Sequence, residues 1–213
     1  IDERIATQNK IIEDLKKLKS AIYQEIFSNL QGEECSLLDL AEIIKGQQIN
    51  GSELSESGKY YVMNGGIAPS GYHDCYNTEA DTISISEGGN SCGYVSFQKT
   101  DFWCGGHCYA LKKLKLNLEF TYHLLKFNEI QIMRLRVGSG LPNIQKKDLE
   151  NLQVSFPTNS HEQEKIAQVL MLADREIDLY QQQLDKLKLE KKALMQQLLT
   201  GQKRVKLNNQ KTA

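Results

Sequence analysis

The sequence predicts an α+β protein in which one globular mixed α/β domain is inserted between two long helices that pair as an antiparallel coiled coil. Three observations carry that prediction. Residues 160–199 place apolar or near-apolar side chains in steps of four and three, at Ile166, Leu170, Ala173, Ile177, Tyr180, Leu184, Leu187, Leu194 and Leu198, with Lys191 as the one interruption; this is a heptad seam. The first thirty residues repeat the seam at a fixed offset, so that Ile5, Ile12, Leu15, Lys19, Ile22 and Ile26 match Ile177, Leu184, Leu187, Lys191, Leu194 and Leu198. Lys16, Ala21 and Gln24 also match Lys188, Ala193 and Gln196 on that offset, at positions no periodicity demands, so the two helices are an internal repeat. Between them the pattern changes to short β-branched and aromatic runs separated by Gly-rich turns.

Composition bounds the class. The chain has 213 residues, 40% hydrophobic and 25% charged, enough for one core of moderate size. No apolar run approaches the ~18 residues of a membrane span, and the N-terminus lacks a basic stretch followed by an apolar one, so a cytoplasmic setting is expected. In that setting the five cysteines, Cys35, Cys75, Cys92, Cys104 and Cys108, are expected to stay reduced. The chain begins at Ile1 inside a helical pattern and reads as a possible piece of a longer one. The 26 basic and 27 acidic residues nearly cancel, but they are unevenly placed. Residues 31–98 are strongly acidic, whereas residues 99–147 and the tail after Leu199 are basic, as in a protein with one basic face.

Taken in order, residues 2–30 read as one helix of about 28 residues, ~42 Å long, stopped near Gly32. One apolar stripe does not hold such a helix in water, so it needs a partner, and the second copy of its seam supplies one. Residues 36–44 form a short amphipathic stretch ended by Lys45 and Gly46. Four strands are expected at residues 60–63, 82–85, 94–97 and 108–111, with turns at Asn64-Gly65-Gly66, Glu87-Gly88-Gly89-Asn90 and Cys104-Gly105-Gly106. Helical spacing returns over residues 116–136, followed by a Gly-rich loop at 138–143, a short turn capped by Asp148 and a strand at 152–157. Ser160 and Gln163 have the spacing of a capping box for the last helix.

Catalytic chemistry is missing. No phosphate loop or dinucleotide fingerprint occurs, the three prolines are isolated, and none of the four histidines sits near a recognisable nucleophile. No cofactor is expected. Cys104-Gly105-Gly106-His107-Cys108 is the one ligand-like cluster, which Cys92 or Cys75 could complete for zinc. Its spacing is not that of a zinc finger, and small cysteines facing a core explain it better, so no metal is assigned.

The run Gly138-Ser139-Gly140-Leu141-Pro142-Asn143-Ile144, then Asp148-Leu149, Phe156-Pro157, Glu162-Gln163, Lys165-Ile166-Ala167, Asp174, Ile177 and residues 194–201 resembles the specificity subunits of type I restriction-modification systems. The opening Asp2-Glu3-Arg4-Ile5 looks like the central repeat of that family, and residues 40–46 are similar to the start of its target-recognition domains. The resemblance implies a non-enzymatic subunit that reads one half of a bipartite double-stranded DNA target. Its partners would be methyltransferase (modification) and restriction/translocase subunits, docked through the helices. Residues 1–30 and 160–200 would be the conserved spacer helices, 31–159 the target-recognition domain and 201–213 a basic tail. Such subunits have two recognition domains, whereas this chain has one. It would therefore be the C-terminal half of a full subunit or a half-length form that dimerises. The competing expectation is a coiled-coil interaction protein whose inserted domain binds a protein or a metal.

Basic residues after the charge step, Lys112, Lys113, Lys115, Arg134, Arg136, Lys146 and Lys147, are expected to line the DNA-facing side. Asn64, Tyr72, Tyr94, His107 and Gln145 lie near turns and are candidates for base or sugar contacts. Ile5, Ile12, Leu15, Ile22, Ile26, Ile177, Leu184, Leu187, Leu194 and Leu198 should form the helix interface. In the expected antiparallel register Ile5 lies near Leu198, Leu15 near Leu187 and Ile26 near Ile177. The seam is then ~32 Å long, close to the ~34 to 36 Å of one DNA turn.

Overall fold

A computed structural model describes residues 1–138 and 140–201. In chain order the elements are α1 (Asp2–Ser28), β1 (Glu33–Ser36), α2 (Leu37–Leu40), β2 (Glu42–Lys45), β3 (Tyr60–Met63), β4 (Gly71–His73), β5 (Thr82–Ser86), β6 (Val95–Gln98), β7 (Trp103–Cys104), β8 (Cys108–Lys112), α3 (Leu118–Phe127), α4 (Glu129–Arg134), α5 (Lys146–Glu150), β9 (Gln153–Phe156) and α6 (Ser160–Leu199). They form two compact units, one of residues 1–22 with the chain from Leu170 onward, the other of Tyr23–Val169. The division falls inside α1 and α6 rather than at their ends, because Tyr23 and Phe27 are buried against α3, with Phe27 stacked on Phe127 at 4.9 Å.

In the first unit α1 and α6 run antiparallel. Asp2 pairs with Lys191 at 2.5 Å, the Gln8 amide donates to the Tyr180 carbonyl at 3.0 Å, and Lys19 pairs with Asp174. Ile12 and Leu184 are buried, while Ile5, Leu15, Ile22, Ile177, Leu187 and Leu194 are half-buried and Leu198 is exposed. The direction is the expected one, and the register is not. Ile5 near Leu198 would have set Lys19 against Leu184 and Lys191 against Ile12, burying two ammonium groups among apolar side chains. The observed register gives each seam lysine an aspartate on the facing helix, which avoids an unpaired charge at the seam. The tail residues 202–213 lie outside the described residues.

The second unit holds three sheets: an antiparallel one in the order β2-β8-β5-β6, a smaller one in the order β4-β3-β7 with β3 and β7 parallel, and the β1-β9 pair. β5 is buried along its whole length. Its serines are tolerated there because Ser84 meets Ser96 at 2.9 Å and Ser86 donates to the Gly65 carbonyl at 2.6 Å. The sheet core of Ile83, Ile85, Tyr109 and Leu111 is continued by Phe120, Leu124, Leu125 and Ile132 of the helices.

Several local expectations change. Residues 36–44 divide into the single turn α2, capped by Ser36, and the strand β2, which pairs with β8. Gly46 follows because a Cβ there would lie 2.2 Å from the Gly105 carbonyl oxygen. The 116–136 segment breaks at Asn128 into α3 and α4. Gln145, not Asp148, precedes α5. The capping box at Ser160 does not form: the Asn159 side chain accepts from the His161 N–H at 2.9 Å. Buried Gln163 instead donates to the Pro157 carbonyl at 2.8 Å and accepts from the Asn117 N–H at 3.2 Å.

Candidate nucleic-acid interface

Strand directions bring the loops after β3, β5 and before β8 to one end of the second unit. β8 runs antiparallel to both β2 and β5, so Lys45 is opposite Tyr109 and Ser86 is opposite Cys108. Lys45, Glu87 and His107 therefore meet at this end, and Asn64 joins them by accepting the His107 backbone N–H at 3.1 Å. The loops are tied by backbone. Glu87 donates its N–H to His107 at 2.9 Å and accepts from Ile144 at 2.8 Å, and Gly89 donates to Pro142 at 3.0 Å. Gly105 must stay bare, since a Cβ would lie 2.5 Å from the Asn64 side chain.

Glu87 is buried and Lys45 and His107 are not. Lys45 Nζ donates to Glu87 Oε1 at 2.6 Å, and His107 Nδ1 stands 3.7 Å from Glu87 Oε2. The Tyr109 hydroxyl donates to the Ile144 carbonyl at 2.9 Å and reaches Glu87 at 3.4 Å; burial first and the adjacent carboxylate second push its pKa up. Around this group lie the half-buried Asn143, bridged to Gln145 at 2.8 Å, and the exposed apolar tips Ile67 and Leu141.

The expected contact residues sort into two ends of the main sheet. Asn64, Tyr94, His107 and Gln145 stand at the loop end, with Arg136 close enough to Cys92 for its charge to oppose the burial that raises that thiol. Tyr94 is half-buried, with the Lys126 ammonium 4.0 Å from its ring centroid. Lys112 and Lys113 close the far end of β8, where Lys113 pairs with Glu42 at 2.9 Å and holds that carboxyl below its ordinary value. Lys115 and Lys147 are exposed, and Lys146 pairs with Glu150 at 3.4 Å. Arg134 is exposed at the end of α4, and Tyr72 is exposed on the edge strand β4. Lys45, Glu87 and Asn143 were not among the expected contacts. Lys45 had read as part of a helix stop and Glu87 as turn, and the only sequence signal was a charge beside glycine.

Cys104 and Cys108 are buried in the core, where the Cys104 thiol is 3.7 Å from the Cys108 carbonyl oxygen, and the Cys108 contact and burial raise the Cys104 thiol. Cys75 is exposed elsewhere. Among the described residues no group of His, Cys, Asp and Glu could hold a metal ion.

The model of the type I restriction modification DNA specificity domain matches residues 31–189. The chain belongs to this family. It is 34% identical over 154 residues to a type I specificity subunit of Mycoplasma genitalium, covering 71% of this chain and 40% of that one. A second such subunit, from Mycoplasma pneumoniae, is 37% identical over 146 residues, covering 67% and 39%. The crystal structure of a type I system S subunit from M. genitalium superposes with a TM-score of 0.65 at 34% identity, covering 69% of this chain and 40% of that chain. The HsdS subunit of Thermoanaerobacter tengcongensis, at 18% identity and a TM-score of 0.60, shares the fold over 92% of this chain and 53% of its own. The chain spans about two fifths of the length of the two Mycoplasma relatives. In this specificity-domain chain no described helix is long and apolar enough to cross a membrane.

Proposed function

We propose that the chain is a DNA-recognition part of a type I restriction-modification specificity subunit. Its second unit reads one half of a bipartite double-stranded target. α1 and α6 act as the spacer and dock methyltransferase and restriction subunits, which carry the catalysis. The observation that carries this reading is the specificity-domain match across the whole inserted domain and most of α6. The loop end supports it, because it gathers Lys45, His107, Asn64 and Asn143 on a backbone-tied frame, as base-reading loops require. A bipartite target calls for a second recognition domain, supplied by a longer chain or by a second copy of this one. Residues 1–30, 31–159 and 160–200 are the functional segments in this reading, with residues 201–213 as a basic extension.

Binding to duplex DNA titrated with salt tests the proposal. Phosphate neutralisation requires affinity to fall steeply with salt, whereas a protein-binding module shows no such slope. The purified chain alone should neither methylate nor cleave DNA, and methyl transfer by it would overturn the assignment.

A further inference from the structure

Glu87 is a buried carboxylate, 7% exposed, on a loop where a sheet of this kind needs no acid. Its Oε1 accepts from Lys45 at 2.6 Å and lies 3.4 Å from the Tyr109 hydroxyl, while Oε2 receives no hydrogen bond from any of the described residues. A buried carboxylate oxygen without a donor is costly, so a purely structural role is poorly served by it. His107 Nδ1 stands 3.7 Å from Oε2, on a side chain that is 59% exposed. Closing that gap by about 0.8 Å makes a charge-assisted hydrogen bond.

The chemistry of the group dictates what it presents outward. A carboxylate facing an imidazole nitrogen lone pair is repelled, so Nδ1 carries the proton and Nε2 is the nitrogen left for a ligand. Lys45 has three N–H donors and gives one to Glu87, which leaves two on a side chain that is 53% exposed. We infer that Glu87 is a positioning residue for DNA recognition, orienting Lys45 toward a phosphate and His107 Nε2 toward a base edge. This rests on the DNA reading above and adds which side chains at the loop end are held, and by what.

The test starts from a duplex selected by the full wild-type chain from a randomised pool, compared with a scrambled duplex of equal length. Glu87→Leu should weaken the selected duplex by about tenfold and the scrambled one by less than about twofold, since losing one orienting hydrogen bond costs order within the specific complex. Glu87→Gln keeps the shape and a single acceptor oxygen, which can serve Lys45 or His107 Nδ1 but not both, and should recover only part of the affinity. His107→Ala in the Glu87→Leu background should add little further loss. The 15N shifts of His107 in the DNA-free chain should show the proton on Nδ1 in wild type and a change of tautomer in Glu87→Leu.

Equal losses on both duplexes, full additivity with His107→Ala, or a wild-type ring protonated at Nε2 alone would overturn the inference while leaving the DNA reading intact. A wild-type chain that selects no duplex overturns the DNA reading and the DNA role of Glu87 with it. If Glu87→Leu does not fold, Lys45→Ala and His107→Ala, both on exposed side chains, carry the same comparison. The His107→Ala loss should then be specific to the selected duplex, the Lys45→Ala loss should fall on both duplexes, and the two should be less than additive on the selected one.

Discussion

Lys19 of α1 reaches Asp174 of α6, and both side chains are largely shielded, at 17% and 29% exposure. This pair, with Asp2 and Lys191 at the other end, sets the register of the helix unit. Zero-length carbodiimide coupling joins carboxylates to amines only in direct contact. It should therefore yield the Lys19–Asp174 and Asp2–Lys191 isopeptides by mass spectrometry. A Lys19–Asp185 or a Glu13–Lys191 isopeptide, which the expected register would favour, would contradict the observed one.

The same pair makes a stability prediction. Asp174→Leu removes the carboxylate that Lys19 meets on the facing helix and should destabilise the helix unit by about 1 kcal/mol, a loss reduced because the pair is not fully buried. Lys19→Leu added to Asp174→Leu should restore most of it, because replacing both partners removes the desolvated charge. Thermal unfolding of the three variants decides the point.

In the second unit Tyr23 and His123 make a buried hydrogen bond of 2.5 Å between the end of α1 and α3. Tyr23→Phe keeps the ring packing on Phe27 and deletes the hydroxyl's bond to His123, at an expected cost of about 1 kcal/mol by denaturant unfolding. A change within about 0.3 kcal/mol of zero would show that the contact contributes nothing net.

Periodicity made both helices legible because each buries one stripe, and the strands at Tyr60–Met63 and Cys108–Lys112 were legible for their β-branched and aromatic content. The helix register was not, because it is set by two aspartates, Asp2 and Asp174, that lie off the apolar pattern. β2 was hidden for a related reason: Ile43 and Ile44 suit a helix as well as a strand, and only pairing with β8 decides. At the candidate site, His107 and Asn64 were visible as polar residues beside glycine turns. Glu87 was invisible, since its role comes from Lys45 and His107 being brought to it across separate strands.

Glu42 gives a pH prediction. Its hydrogen bond to Lys113, and then the charge of that lysine, lower its pKa in the folded chain from the ordinary 4.5. A carboxyl lowered on folding favours the folded state above the ordinary value, and that contribution is lost as pH falls through the lowered pKa. Lys113→Ala should return the Glu42 titration, followed by carboxyl-carbon NMR, to about the ordinary value. An unchanged titration would mean that the pair does not persist in solution.

Arg134 with Arg136 and Lys113 with Lys146 differ in how freely they offer positive charge to DNA, and salt dependence separates the two pairs. Arg134 and Arg136 are exposed and have no carboxylate partner among the described ion pairs, whereas Lys113 is paired with Glu42 and Lys146 with Glu150. A phosphate meeting a paired lysine must compete with the carboxylate, so the free arginines should release more counterions per residue. Each phosphate contact contributes about 0.9 to the slope of log affinity against log salt. Arg134→Gln with Arg136→Gln should therefore flatten that slope by up to about 2 if both face phosphate. Lys113→Gln with Lys146→Gln should flatten it less, because the freed Glu42 and Glu150 already opposed an approaching phosphate. Equal flattening by both pairs would place the DNA along the whole length of the sheet, and no flattening by the arginine pair would remove α4 from the DNA-facing surface.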